Sequence, residues 1–159
     1  MDPTQGDFVS CISYICNAFK APEGKSVKVS FNSTVESLPM KFDRMQINQA
    51  VNLLLNNSVR FCPHSCRIQV SVFAPADEEV KLLIADNGVG IKDEYKAHVF
   101  DHVLMEGGEL GLDRVKAIVD AHEGSIHVED NPGGGTVFVI SLPRHYEEIQ
   151  EAVLMDDDE

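Results

Sequence analysis

The apolar positions change period along the chain, and each change predicts an element. Phe8, Ile12, Ile15 and Phe19 return at helical spacing, predicting a first helix over about residues 8–20. After the turn-like APEGK, the run SVKVSF alternates apolar and polar, the period of a strand with one buried face. A long helix follows over residues 44–61, with Asp43 placed as its N-cap. At about 100° per residue, Ile47, Ala50, Val51, Leu54 and Ser58 gather on one arc of this helix. Asn52 and Asn56 then point nearly the opposite way, while Asn57 stands at the border of the buried face near Leu53, with Arg60 and Phe61 one turn on.

Two further alternating runs, CRIQVSVFA and EVKLLIAD, are separated by residues 75–78, a hairpin by length. A short helix over 94–99, an amphipathic helix over 111–122, a strand over 125–129, the turn NPGGG and a strand TVFVISL complete the order. Helices interposed among runs of strands predict an α/β two-layer sandwich built on a mixed sheet. Residues 1–7 carry no such pattern and read as a disordered lead-in.

Composition narrows the function classes. At 159 residues, 43% hydrophobic and 25% charged, the chain fits one ordinary globular domain. A net charge of −13 repels a phosphate backbone, and no basic patch offsets it, so no nucleic-acid partner and no direct membrane contact are expected. No apolar run approaches the roughly 20 residues that span a bilayer, and MDPTQGDF lacks the order of a signal peptide, so the chain reads as cytoplasmic. Cys11 and Cys16 fall on the apolar spacing of the first helix as core fillers. Cys62 and Cys66 flank His64, but neither cysteine pair has zinc-knuckle spacing, and a cytosolic compartment argues against a disulfide.

The candidate chemistry centres on IADNGVGI. The strand delivers Asp86 where the chain leaves the sheet, and Gly88 and Gly90 let the backbone turn sharply and a flat ligand lie close. The stretch is either a tight turn with a solvated acid or a pocket floor whose carboxylate accepts a hydrogen bond from an amino group such as that of adenine. Further on, EGGELGLDRV runs a glycine loop straight into a helix, whose free N–H groups and positive dipole end suit phosphate. NPGGGTVFV puts Thr136 at the start of a strand, within reach of the same pocket.

These four features in this order resemble the catalytic ATP-binding domain of sensor histidine kinases, within the gyrase, heat-shock-chaperone and mismatch-repair ATPase superfamily. The resemblance covers about residues 8–143. FDRMQINQAVNLLLNNSVRF is similar to the family's N box, DNGVGI to its first glycine box, HVFDHV to its phenylalanine box and GGELGLDRVKAIVDAHEGSI to its second glycine box. It implies a mainly antiparallel sheet with helices on one face, and ATP and Mg²⁺ as cofactors. Residue by residue, it makes Asn57 the Mg²⁺ ligand, Arg60 a phosphate contact and Phe61 a ring near the nucleoside. Asp86 becomes the adenine-reading carboxylate, supported by Gly88, Gly90, Ile91 and Thr136, and Gly107, Gly111 and Leu112 fall in the phosphate loop and its helix.

The chain also departs from the pattern. Leu53 stands where the N box is usually polar, and Glu109 where a glycine usually precedes Leu-Gly-Leu. The segment between Phe100 and Gly107 is short for the family's lid, and Val103 replaces a second aromatic. Leu53 leaves no general base for water, so the resemblance implies γ-phosphoryl transfer to a histidine rather than hydrolysis. None of the six histidines suits the acceptor role, so the acceptor is expected on separate dimerisation and phosphotransfer helices of a longer, homodimeric protein, this segment itself being monomeric. Residues 144–159, ending AVLMDDDE, read as a linker followed either by a segment that resembles the opening of a receiver domain or by a solvated acidic tail. The alternative function is a degenerate signalling or binding module that keeps the fold with weak or no ATP use.

Overall fold

The computed structural model describes residues 1–62, 65–96, 98–101 and 111–145. Gly107, Glu109, Val103, His64 and residues 146–159 lie outside them, so the expectations for the phosphate loop, the lid and the tail fall there too. The main sheet has the order β2-β4-β5-β7-β6, formed by β2 (Ser26–Ser33), β4 (Ser65–Ala76), β5 (Glu79–Asp86), β6 (Ser125–Asp130) and β7 (Thr136–Pro143). Only β2 and β4 pair in parallel; the other neighbours are antiparallel. That single parallel pair follows from the helical crossover between the two strands, whereas β4 and β5 are joined by a hairpin.

Helix α1 (Phe8–Ala18) packs on β2, α2 (Arg44–Arg60) on β4 and β5, and α4 (Leu112–Ala121) on β6, with α2 between the other two. Alternation along the strands explains the layer. In β4, Cys66, Ile68, Val70 and Val72 are buried while Arg67 and Gln69 are exposed, and in β5, Val80, Leu82, Ile84 and Asp86 are buried. Asp86 thus continues the apolar row of its strand, which is why a carboxylate ends up 6% exposed at the end of the core. The short helix α3 (Asp93–Lys96) begins and ends earlier than the sequence pattern suggested.

Two elements escaped the pattern. Thr4–Asp7, expected to be disordered, form β1, which pairs antiparallel with β3 (Pro39–Phe42) in a separate two-stranded sheet. In β3 only Met40 and Phe42 turn inward, and β1 has no apolar residue, so neither presents a readable alternation. Asp7 holds the junction: its Oδ1 accepts from Val9 N at 3.1 Å and Leu38 N at 2.8 Å, and its Oδ2 from Ser10 Oγ at 2.8 Å. The cysteines need a second correction. Cys62 and Cys66, expected to stay reduced, are joined as a disulfide, while Cys11 and Cys16 are free and buried.

Candidate functional site

The site forms where the C-terminal end of α2 meets the turn after β5 and the start of β7. Asp86 Oδ1 accepts two backbone hydrogen bonds, from Gly88 N at 2.8 Å and from Thr136 N at 3.2 Å. Among the described residues no hydrogen bond ends on its Oδ2. Thr136, placed near Asp86 by the sequence, touches it through its N–H, at the point where β7 begins beside the end of β5.

Three approaches fix the turn. Val89 N donates to Phe61 O at 3.2 Å, and a β-carbon on Gly88 would stand 2.9 Å from that same oxygen. Arg67 N donates to Asn87 Oδ1 at 2.8 Å, tying the turn to β4. From the third side, Asn131 Nδ2 donates to Asp86 O at 2.7 Å, and Gly135 presses its bare α-carbon onto the same peptide. Gly135 has φ 108°, and a β-carbon there would collide with the Asp86 carbonyl oxygen. Gly90, at φ 80°, faces Gly135 across the turn. Asn87, Asn131 and Gly135 are the residues that sequence reasoning missed. The signal available was the glycine run of NPGGG, longer than a tight turn requires.

On α2, Asn57 is 7% exposed, whereas Asn56 is exposed and Asn52 turns away to bond Asn48. Helical register therefore brings Asn57, and not Asn56, to the buried side. Its Oδ1 has no hydrogen-bond partner among the described residues, an expensive condition for a buried amide. Arg60 carries its guanidinium 5.7 Å over the half-buried Phe61 ring. Lys25 Nζ closes the helix end by donating to Val59 O at 2.5 Å and Cys62 O at 3.3 Å, a cation on the negative end of the dipole.

Gly111 starts α4 in the left-handed region at φ 73°, and Leu53 of α2 packs against its α-carbon. Leu112 is buried behind it, and Ile91 lies half-buried on the core. Phe100 packs edge-on against Phe138, with ring centroids 6.2 Å apart. Of the expected site residues, Asn57, Phe61, Asp86, Gly88, Gly90 and Thr136 thus converge on this end of α2, Gly111 and Leu112 stand at the neighbouring helix start, and Gly107 lies outside the described residues. No helix among the described residues is long and apolar enough to cross a membrane.

Comparison with known proteins agrees with this fold. Residues 42–146 match the family model described as histidine kinase-, DNA gyrase B- and HSP90-like ATPase. The autoinducer 2 sensor kinase/phosphatase LuxQ of Vibrio parahaemolyticus is 30% identical over 135 residues, covering 76% of this chain and 16% of LuxQ. The chain therefore spans less than a fifth of that relative's length. In fold it is similar to the catalytic domain of histidine kinase ThkA, with a TM-score of 0.80 and 24% identity, over 91% of this chain and 99% of that one. Its likeness to ThkA solved in complex with the response regulator protein TrrA has a TM-score of 0.73 at 20% identity, covering 92% of this chain and 43% of that one. The chain belongs to the histidine kinase-, DNA gyrase B- and HSP90-like ATPase family, as an ATP-binding domain.

Proposed function

We propose that this domain holds Mg²⁺–ATP so that the γ-phosphoryl group passes to a histidine on separate dimerisation helices of a cytoplasmic, homodimeric two-component sensor. The observation that carries the reading is Asp86: a buried carboxylate whose Oδ1 is engaged by two backbone N–H groups while Oδ2 keeps its accepting capacity. That arrangement suits the exocyclic amine of adenine, with Gly88 and Gly90 admitting the base and Phe61 standing beside it. GTP carries a carbonyl at that place and meets a repelling acceptor.

Asn57 fits an oxygen-seeking cation, because its buried Oδ1 lacks, among the described residues, a partner that such an ion would provide. When bound, Mg²⁺ supplies positive charge against the triphosphate oxygens. Arg60, beside Phe61, reaches toward the phosphates, and Gly107, Gly111 and the start of α4 receive them on backbone N–H groups. Leu53 lies against Gly111 and brings no base to a water molecule, which favours transfer over hydrolysis. A response-regulator receiver domain is the partner that takes the phosphoryl group onward.

Asp86→Asn tests the reading. It keeps the shape but loses the charge that strengthens the adenine bond, so ATP affinity by calorimetry in Mg²⁺ should fall by about 1.5–3 kcal/mol, roughly tenfold or more. Unchanged affinity, or equal competition by GTP, means that the turn does not read adenine, and leaves a domain that keeps the fold without this use of ATP.

A further inference from the structure

We propose that Cys62 and Cys66 form a reversible thiol–disulfide site, exchanging with a low-molecular-weight disulfide of the glutathione class, and that its oxidation state sets the nucleotide affinity of the domain. This rests on the reading of the Asp86 turn as the nucleotide site. The two α-carbons are 5.5 Å apart, an ordinary span for a disulfide. Each cysteine adjoins a residue that holds the turn. Phe61, before Cys62, accepts from Val89 N at 3.2 Å, and Arg67, after Cys66, donates to Asn87 Oδ1 at 2.8 Å. Cys62 Sγ itself lies 3.5 Å from that Oδ1. The bond thus staples together the two backbone groups between which the Asp86–Val89 turn is suspended. Reduction removes this covalent tie, and the two supports of the turn are then held only by Lys25 at the end of α2 and by the pairing of β4 with β2.

The other cysteines do not compete. Cys11 and Cys16 are free and buried on α1, neither adjoins a residue that holds the turn, and burial pushes the Cys16 thiol up to about 11 and raises that of Cys11. Oxidation balances as two exchanges. The Cys62 thiolate, the more exposed of the pair, attacks one sulfur of the small disulfide and releases one small thiol. The Cys66 thiolate then attacks Cys62 Sγ and releases the second. Two protons leave the protein thiols, two electrons pass to the small disulfide, and two small thiols are formed.

Linkage makes the test two-sided: if oxidation strengthens ATP binding by some factor, ATP must make the disulfide harder to reduce by the same factor. The chain is equilibrated in glutathione redox buffers with and without Mg²⁺–ATP, and the Cys62–Cys66 peptide is quantified by differential alkylation and mass spectrometry. ATP affinity is measured on both forms. We expect the reduced form to bind ATP about fivefold or more weakly, the lower end of coupling between sites, and ATP to shift the thiol–disulfide equilibrium by a matching factor. Cys62→Ser with Cys66→Ser should bind as the reduced form does and ignore the redox buffer. Equal ATP binding by the oxidised and reduced forms, a pair that never oxidises in the buffer, or a redox response that survives in the double variant overturns the coupling alone. Absence of ATP binding in both forms overturns the nucleotide reading and the coupling with it.

Discussion

The two ends of α2 differ in how far their polar groups are completed. At the N-terminal end the capping groups are answered, although the buried Gln46 Oε1 has no partner among the described residues. Asp43 Oδ1 accepts from Gln46 N at 3.1 Å, its Oδ2 from Asp2 N at 2.7 Å, and its own N–H donates to His122 Nε2 at 3.0 Å. His122 is buried, with Nδ1 2.9 Å from Ile118 O, so one imidazole bridges the start of α2 and the end of α4. At the C-terminal end, Asn57 Oδ1 is buried without a partner among the described residues, and a buried carboxylate keeps one oxygen free of them. A buried side-chain oxygen without a partner among the described residues thus occurs at both ends, on Gln46 as well as on Asn57, and the half-engaged Asp86 carboxylate is what sets the C-terminal end apart. Where two incomplete acceptors, Asn57 Oδ1 and Asp86 Oδ2, stand at one end of the helix, a ligand can finish the hydrogen bonding.

The comparison breaks most severely at Gly135. Gly135→Ala demands a left-handed backbone of a residue with a side chain and drives a β-carbon into the Asp86 carbonyl. We expect a stability loss on the order of 3 kcal/mol, read by thermal or urea unfolding, with loss of ATP binding in the chain that still folds. Gly133→Ala is the control: its φ is also positive but open space surrounds it, so only the strain term should remain. Equal losses at both positions would show that the close packing of Gly135 on Asp86 contributes nothing.

Asn57→Ala sharpens the contrast. Removing a buried oxygen that no described residue satisfies should leave stability unchanged or raise it by up to about 1 kcal/mol, since the desolvation cost vanishes while the lost packing is small. ATP affinity in Mg²⁺ should nonetheless fall about tenfold, and the difference should shrink when Mg²⁺ is chelated. A stability loss with ATP affinity intact would make Asn57 an ordinary structural residue.

The two ends were not equally legible in the sequence. Helix α2 could be read from its cap and its apolar arc, and the same arc separated Asn57 from Asn56. The glycines of IADNGVGI singled out Asp86 because their spacing is local. Asn131 and Gly135 act on Asp86 across more than 40 residues, and no periodicity within a window carries that relation. The β1–β3 pair is a long-range contact between short segments with little apolar alternation, so it was invisible for a similar reason. Cys62 and Cys66 were weighed against metal spacing and compartment, neither of which reports that the end of α2 and the start of β4 bring two α-carbons to 5.5 Å.

The smallest effect is expected at the closed end, and its pH dependence tells whether that end is only structural. Bonds from Asp2 N–H and Gln46 N–H hold the Asp43 carboxyl below its ordinary value of 3.8. A carboxyl with a lowered folded pKa binds fewer protons folded than unfolded, so its contribution is complete above the unfolded value and is lost as pH falls through the folded one. The unmutated chain should therefore lose stability on acidification below about pH 4. Asp43→Asn retains a capping oxygen without the charge. It should cost roughly 0.5–1 kcal/mol at neutral pH and show a shallower decline in acid. Both chains keep His122, so the difference between their acid-unfolding curves isolates the carboxylate. ATP affinity should be the same in the two chains at pH 7. A tenfold change there would mean that strain at the capped end travels the length of α2 to Asn57, and that the two ends are not independent.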